Sequence, residues 1–312
     1  MVLGGKVHQA DSRGNQSNQG LAMQQGQDAV WIDTHVHMDD SRFADTHAVR
    51  QAARQAGVGL LVIPAIGPVN FDAVRQLAHT WGDAYALGLH PLYLPADIAS
   101  ANAALAALEQ ALEQHQHDPH LVAIGEIGLD FFEPHLCTPA MRALQEHCFK
   151  AQLRLAQRFD LSVILHVRRS VDAVLKQLRR IPPRGGIAHA FVGSAQQAQQ
   201  AIDWGLKLGF GGAMTFDRAT RLHELARSLP LEAIVLETDA PDIPPRWLYV
   251  TAQARQAGAT QGINSPVEIP RIGQTLADLR GMTANAVRTA TAANAYAALP
   301  RLAALAGKKS HA

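Results

Sequence analysis

A single-domain (β/α)8 TIM barrel of the α/β class is the fold this sequence predicts, and three observations predict it. Eight short apolar runs alternate with longer segments rich in Ala, Leu, Gln and Arg that carry a helical pattern. No second composition zone interrupts the alternation. The 312 residues, 47% of them hydrophobic, are enough for one such barrel and its core. A doubly wound sheet is the runner-up, since it uses the same alternation. The expected organisation is a disordered extension over 1–28, the barrel over 29–304 and a flexible tail over 305–312.

Taken in order, the segment up to Gln27 is rich in Gln, Gly, Asn and Ser and lacks the apolar stretch of a signal peptide. The apolar runs at 30–33, 58–65, 84–89, 121–126, 161–166, 186–189, 206–210 and 233–237 have the length and composition of buried strands. Helical patterns fill the intervals at 45–56, 70–80, 101–117, 139–159, 171–180, 194–204 and 218–228. After the eighth strand a connection over 242–264, rich in Pro, Ala and Gln, leads to two helices at 266–280 and 283–299. Thr283 supplies the side-chain acceptor that starts the second of them, and both are placed in the outer ring.

Charge and cysteine content narrow the function classes. Lys and Arg number 28 against 27 Asp and Glu, a net charge of +1, which argues against a nucleic-acid coat or a membrane-surface protein. No apolar run approaches the roughly 18 residues a membrane helix needs. The two cysteines, Cys137 and Cys148, form no Cys-x-x-Cys pair and fit reduced thiols in a cytoplasmic protein, taken as a monomer.

The informative residues sit where strands end, which in a barrel is where chemistry is placed. The first strand ends in Asp33-Thr34-His35-Val36-His37, and residues two apart on a strand face the same side, so both imidazoles can serve one ion. The third ends in Gly88-Leu89-His90-Pro91, the fourth in Gly125-Glu126-Ile127-Gly128-Leu129-Asp130, the fifth in His166-Val167-Arg168, the sixth in His189-Ala190-Phe191 and the eighth in Glu237-Thr238-Asp239-Ala240-Pro241. Each residue alone has a plain structural reading as a cap, a turn residue or a core histidine. Their recurrence at strand ends does not. His35, His37, His166, His189, Glu126 and Asp239 exceed the three protein ligands of one catalytic zinc. They suit two divalent ions, Zn, Mg or Mn, sharing one carboxylate. The expected division is His35, His37 and Asp239 on one ion, His166 and His189 on the other, and Glu126 between them.

These segments resemble, in order and over nearly the whole barrel, the TatD family of metal-dependent hydrolases within the amidohydrolase-like superfamily. The resemblance implies a TIM barrel, a divalent metal site and, for several members, deoxyribonuclease activity, often as a 3′-to-5′ exonuclease. Family members often carry Arg-Asn-x-Pro after the last strand, whereas this chain has Ile263-Asn264-Ser265-Pro266, which bears on substrate contacts and leaves the metal ligands untouched. Many superfamily relatives that cleave amides, esters or lactones bridge their metals with a carboxylated lysine, and no lysine lies in 121–130.

The leading expectation is hydrolysis of a phosphodiester in DNA or a nucleotide-like ester by a metal-activated water, with Asp239 moving the proton and Glu126 bridging. His90, Arg168 and Arg42 are candidates for the substrate phosphates, Gly209 to Gly212 for a close backbone approach, and Asp130 and Glu237 for orienting ligands. An amide, ester or lactone hydrolase on a small molecule is the first alternative, and a non-catalytic metal-binding barrel the second. Aromatic content is 5%, so base-stacking residues are few and polymer recognition is not visible.

Overall fold

In the computed structural model, which describes residues 29–309, eight parallel strands follow one another around one sheet in chain order. They are β1 (Trp31–Asp33), β2 (Val58–Pro64), β3 (Ala84–Leu87), β4 (Leu121–Asp130), β5 (Ser162–Arg168), β6 (Gly186–Ala188), β7 (Leu206–Phe210) and β8 (Ile234–Leu236). The sheet's two ends meet. Thr34 N donates to Leu236 O at 3.1 Å, Asp239 N to His35 O at 2.9 Å and His37 N to Ala240 O at 2.8 Å, and Val36 pairs in parallel with Ala240. The buried Asp33 carboxylate fastens the same seam, accepting from Thr238 Oγ1 at 2.6 Å, Thr238 N at 3.0 Å and His35 N at 3.2 Å. The barrel expected from the alternation is the observed fold, and the extension expected over 1–28 lies outside the described residues.

The ring of helices comprises α1 (Thr46–Gln55), α2 (Phe71–Trp81), α3 (Ile98–His115), α4 (Pro139–Arg158), α5 (Val171–Arg180), α6 (Ala195–Asp203) and α7 (Thr220–Ser228). Local chemistry sets several starts: Asp45, Asp97, Thr138 and Ser194 each accept a backbone N–H of the first turn. Within the connection after β8 lies a short helix, α8 (Ala252–Gln256), which buries no side chain and so leaves no apolar period to read. Then come α9 (Ile269–Arg280), α10 (Ala284–Ala298), which Thr283 caps as expected by accepting from Ala286 N, and α11 (Pro300–Lys309).

The last helix corrects the expected tail. Chain order continues in helix through Lys309, and Leu305 is buried where a flexible segment was expected from 305. Ile32, Leu60, Val62, Ala84, Ile164 and Val235 form an inner cluster with Leu299, Leu302 and Leu305. Closing that cluster removes apolar surface from water, which is why α11 is held against the barrel. Residues 310–312 lie outside the described residues.

One strand departs from its expected bounds in a way that matters for the site. β4 does not end at Glu126 but runs on to Asp130, buried throughout, because Ile127 to Asp130 pair with Leu165 to Arg168 of β5. Between Ile124 and Ile127 the register shifts by one residue. A bulge of this kind re-aims a side chain, and the side chain within it is Glu126.

Candidate metal centre

Glu126 is the hub of the barrel mouth. It is 1% exposed, and its two oxygens face two different sets of histidines. Oε2 lies 3.0 Å from His35 Nε2 and 3.5 Å from His37 Nε2. Oε1 lies 2.7 Å from His166 Nδ1, 2.8 Å from His189 Nε2 and 3.1 Å from His90 Nε2. Asp239 joins on the first side, its Oδ1 3.5 Å from His35 Nε2 and 3.6 Å from His37 Nε2. The six ligands named from the sequence are therefore brought together.

The donors and acceptors do not alternate as a hydrogen-bond network requires. His35 Nε2 and His37 Nε2 stand 3.3 Å apart, both directed at carboxylate oxygens, and the buried Glu126 Oε2 and Glu237 Oε2 accept no hydrogen bond. Nitrogen and oxygen lone pairs that converge on one point fit a bound cation. Three triads have ligand atoms within 4.8 Å of one another: His35, His37 and Glu126; His35, His189 and Asp239; His90, Glu126 and His166. The residues present thus fit divalent metal.

A carboxylate stands behind each of two histidines, and one of the two hydrogen-bonds its ring. Asp130 Oδ2 lies 2.9 Å from His166 Nε2, on the side away from Glu126, and Glu237 Oε1 lies 3.7 Å from His189 Nδ1. A carboxylate on a histidine's far nitrogen fixes its tautomer and orientation. Gly209 and Gly211 serve this arrangement too. A Cβ at Gly209 would meet Glu237 Oε2 at 2.1 Å and one at Gly211 would meet Glu237 O at 2.8 Å. These glycines of the run expected to approach a phosphate make room for Glu237, the residue after β8.

Electrostatics follow from burial and proximity. Burial raises the Glu126 carboxyl, but His90, His189 and His35 outweigh it and hold the group well below its usual range. Burial, aided by the stacked His189 ring at 3.9 Å, pushes His35 well down, into the neutral form that binds metal. Burial lifts Asp239 to about 6 despite His189 and His37. Asp130 is lowered to about 2 because His166 and two backbone N–H groups overcome its burial.

The expected substrate contacts are placed less uniformly. His90 is buried; Leu92 N donates to its Nδ1, which leaves the proton on Nε2, facing Glu126. Arg42 is clamped between two carboxylates, donating to both oxygens of Asp40 and to both of Asp242 at 2.8 to 2.9 Å, so it straps the connection after β1 to that after β8. Arg168 is half exposed but donates to Glu133 at 3.1 Å. Its neighbour Arg169, which nothing in the sequence singled out, lies over the Phe132 ring at 4.6 Å. Asn264 is fully buried, its amide donating to Thr238 O and Asp242 O at 2.8 Å, while Ile263, where the family pattern has arginine, is 48% exposed.

A barrel whose mouth converges histidines and carboxylates on one buried glutamate defines a class of protein, the metal-dependent hydrolases. The chain belongs to the TatD related DNase family, whose model matches residues 32–300. It is 39% identical over 269 residues to the uncharacterized metal-dependent hydrolase YjjV of Escherichia coli (strain K12), covering 85% of this chain and 96% of that one. It is 35% identical over 270 residues to the 3′-5′ ssDNA/RNA exonuclease TatD of Klebsiella pneumoniae (strain 342), covering 84% and 95%. The crystal structure of the Escherichia coli K12 YjjV superposes with a TM-score of 0.77 at 37% identity, covering 88% of this chain and 99% of that one. The chain is accordingly a TatD-type metal-dependent hydrolase. Among the described residues no helix is long and apolar enough to cross a membrane.

Proposed function

We propose that this hydrolase removes nucleotides from the 3′ end of single-stranded nucleic acid, and that Glu126 with the histidines and Asp239 around it would hold two divalent ions. The observation that carries the reading is the division of Glu126, whose Oε2 faces His35 and His37 while Oε1 faces His166 and His189. His35, His37 and Asp239 would hold one ion and His166 and His189 the other. Bound there, Zn, Mg or Mn would lower the pKa of a water and polarise a phosphoryl oxygen. The exonuclease relatives covered along 95% of their length support the substrate class.

The chain's own residues supply the rest. Asp239 stands at the mouth with its carboxylate partly open, at the end of β8, where it can take the water's proton. With the metal supplying an activated water, its oxygen would bond to phosphorus as the bond from phosphorus to the O3′ of the preceding nucleotide broke, and Asp239 would pass the proton to the leaving oxygen. The reading takes His90, whose Nε2–H lies inside the mouth against Glu126, and Arg168, half exposed and engaged by Glu133, as the groups that contact the phosphate. His166 is kept fixed by Asp130, which holds the ring from behind. Both cysteines are unpaired, in keeping with a cytoplasmic enzyme, and the reading takes it to act as a monomer.

A substrate panel on the metal-loaded protein tests this. Single-stranded DNA and RNA should be shortened from the 3′ end with release of 5′-mononucleotides. Cleavage of an ester, amide or lactone with nucleic acid left intact would overturn the reading in favour of a small-molecule hydrolase. Binding of metal without turnover of any substrate would leave a barrel used for partner binding.

A further inference from the structure

Six of the seven exposed large apolar side chains of the described residues stand on connections leaving the C-terminal ends of strands, among them Tyr93 after β3, Phe132 after β4, Val192 after β6 and Tyr249 after β8, and the seventh, Ile98, is the first residue of α3. Exposed apolar side chains scattered singly need no explanation, but their confinement to the catalytic end marks a contact surface. The lip over β3 to β5 shows what it contacts. Tyr93 is 61% exposed, and its ring meets the His90 ring edge-on at 5.5 Å, so an open aromatic surface stands beside the carboxylate and histidine cluster. On the next connection, the half-exposed Phe132 ring carries the guanidinium carbons of Arg168 at 3.8 Å and Arg169 at 4.6 Å. Glu133 engages Arg168. Among the described residues no carboxylate pairs with Arg169.

Aromatic rings interleaved with arginine are what a single strand of nucleic acid requires: a π-surface for an unpaired base and a cation for the backbone. A protein partner would need the apolar surface without the unpaired cation. We propose that this lip is the strand-holding site, Tyr93 stacking on the base beside the scissile phosphodiester and Arg169, lying over Phe132, pairing with a backbone phosphate. The assignment rests on the nuclease reading above and adds the residues that recognise the strand. It also accounts for how a chain with few aromatics handles a polymer, because two of the three aromatics among its exposed large apolar side chains, Tyr93 and Phe132, stand on connections that follow neighbouring strands.

The test is steady-state hydrolysis by the metal-loaded full-length protein of a short single-stranded oligonucleotide, compared with the same strand carrying abasic 3′-terminal sites. Tyr93→Ala should raise KM about tenfold on the natural strand, with kcat retained and no further effect on the abasic strand. Tyr93→Phe should keep the wild-type KM, since it keeps the ring. Arg169→Ala should raise KM on both strands alike and lower the salt dependence of KM. An unchanged KM in Tyr93→Ala, or an equal rise on both strands, overturns the stacking role. A wild-type protein that spares the natural strand while cleaving another ester overturns the nuclease reading itself, and the lip's assignment falls with it.

Discussion

The two ends of the barrel bury charge in opposite ways. At the N-terminal end, Arg50 and Asp83 are 1% and 0% exposed, and their partners are matched. Arg50 NH2 donates to Asp83 Oδ1 at 2.8 Å and its NH1 to Val58 O at 2.9 Å, and Leu61 N donates to Asp83 Oδ1 at 3.1 Å. At the C-terminal end, Glu126 is as deeply buried, yet its Oε2 accepts no hydrogen bond while imidazole nitrogens crowd toward it. Desolvating a charge is costly in either place. The pair below is compensated within the chain; the cluster above is left for a cation to complete, as the chemistry of its donors fits. Burial alone therefore does not mark a site, whereas burial with unmatched, convergent lone pairs does.

Breaking the upper end should give the largest effect. Glu126→Gln removes the charge that both sets of histidines share, and hydrolysis should fall by more than about a hundredfold, beyond what the loss of an outer partner causes. Circular dichroism should show the variant folded. Activity within tenfold of wild type would sink the bridging role. Breaking the lower end should spare the chemistry and damage the fold. Asp83→Ala leaves Arg50 buried and unpaired, a loss of about 3–5 kcal/mol in unfolding free energy. Arg50→Met with Asp83→Leu should recover most of it, since apolar groups need no partner there. If the double variant is as unstable as Asp83→Ala, the matched-pair account fails.

Metal should act on the upper end alone. After exhaustive treatment with EDTA the protein should be inactive, and Mn, Mg or Zn should restore turnover. At a hundred times its Kd the ion should add about 2.7 kcal/mol of stability to wild type, visible as a rise in Tm that Glu126→Gln loses. Persistent activity after verified metal removal would end the two-ion reading. Asp130→Asn takes away only the carboxylate behind His166 and should weaken metal affinity by about 10–100-fold, read by titration calorimetry. The smallest effect lies away from both ends. Burial pushes the Cys148 thiol up to about 11, so at pH 8 it is protonated and should react with a thiol reagent only on unfolding, while the half-buried Cys137 reacts in the native protein.

Strand periodicity and strand-end polarity carried much of this protein into view. The alternation predicted eight parallel strands in chain order, as observed, because a strand buried on both faces must be apolar along its length. The polar residues that end those strands could be named one by one, since polar side chains in such positions need partners. Helix starts at Asp45 and Thr283 were legible because capping is a local hydrogen bond. By contrast α8 buries nothing, and α11 is short enough to pass for a tail until its leucines meet the barrel floor.

Side-chain pairing across connections was not legible at all. Arg42, Arg168 and Arg169 look equivalent in sequence, yet one is clamped by Asp40 and Asp242, one is engaged by Glu133, and one pairs with no carboxylate among the described residues. That Gly209 in β7 and Gly211 just after it clear space for Glu237 could not be read from the sequence either. Sequence by itself determined the barrel and the kinds of ligand at its mouth, because burial and strand geometry act through near neighbours along the chain. Only tertiary structure decided that Glu126 divides its oxygens between two histidine sets, and that Tyr93 and Phe132 stand on neighbouring connections at the mouth. Those placements bring together residues from different strands and the connections after them, and their geometry exists only once the barrel has closed.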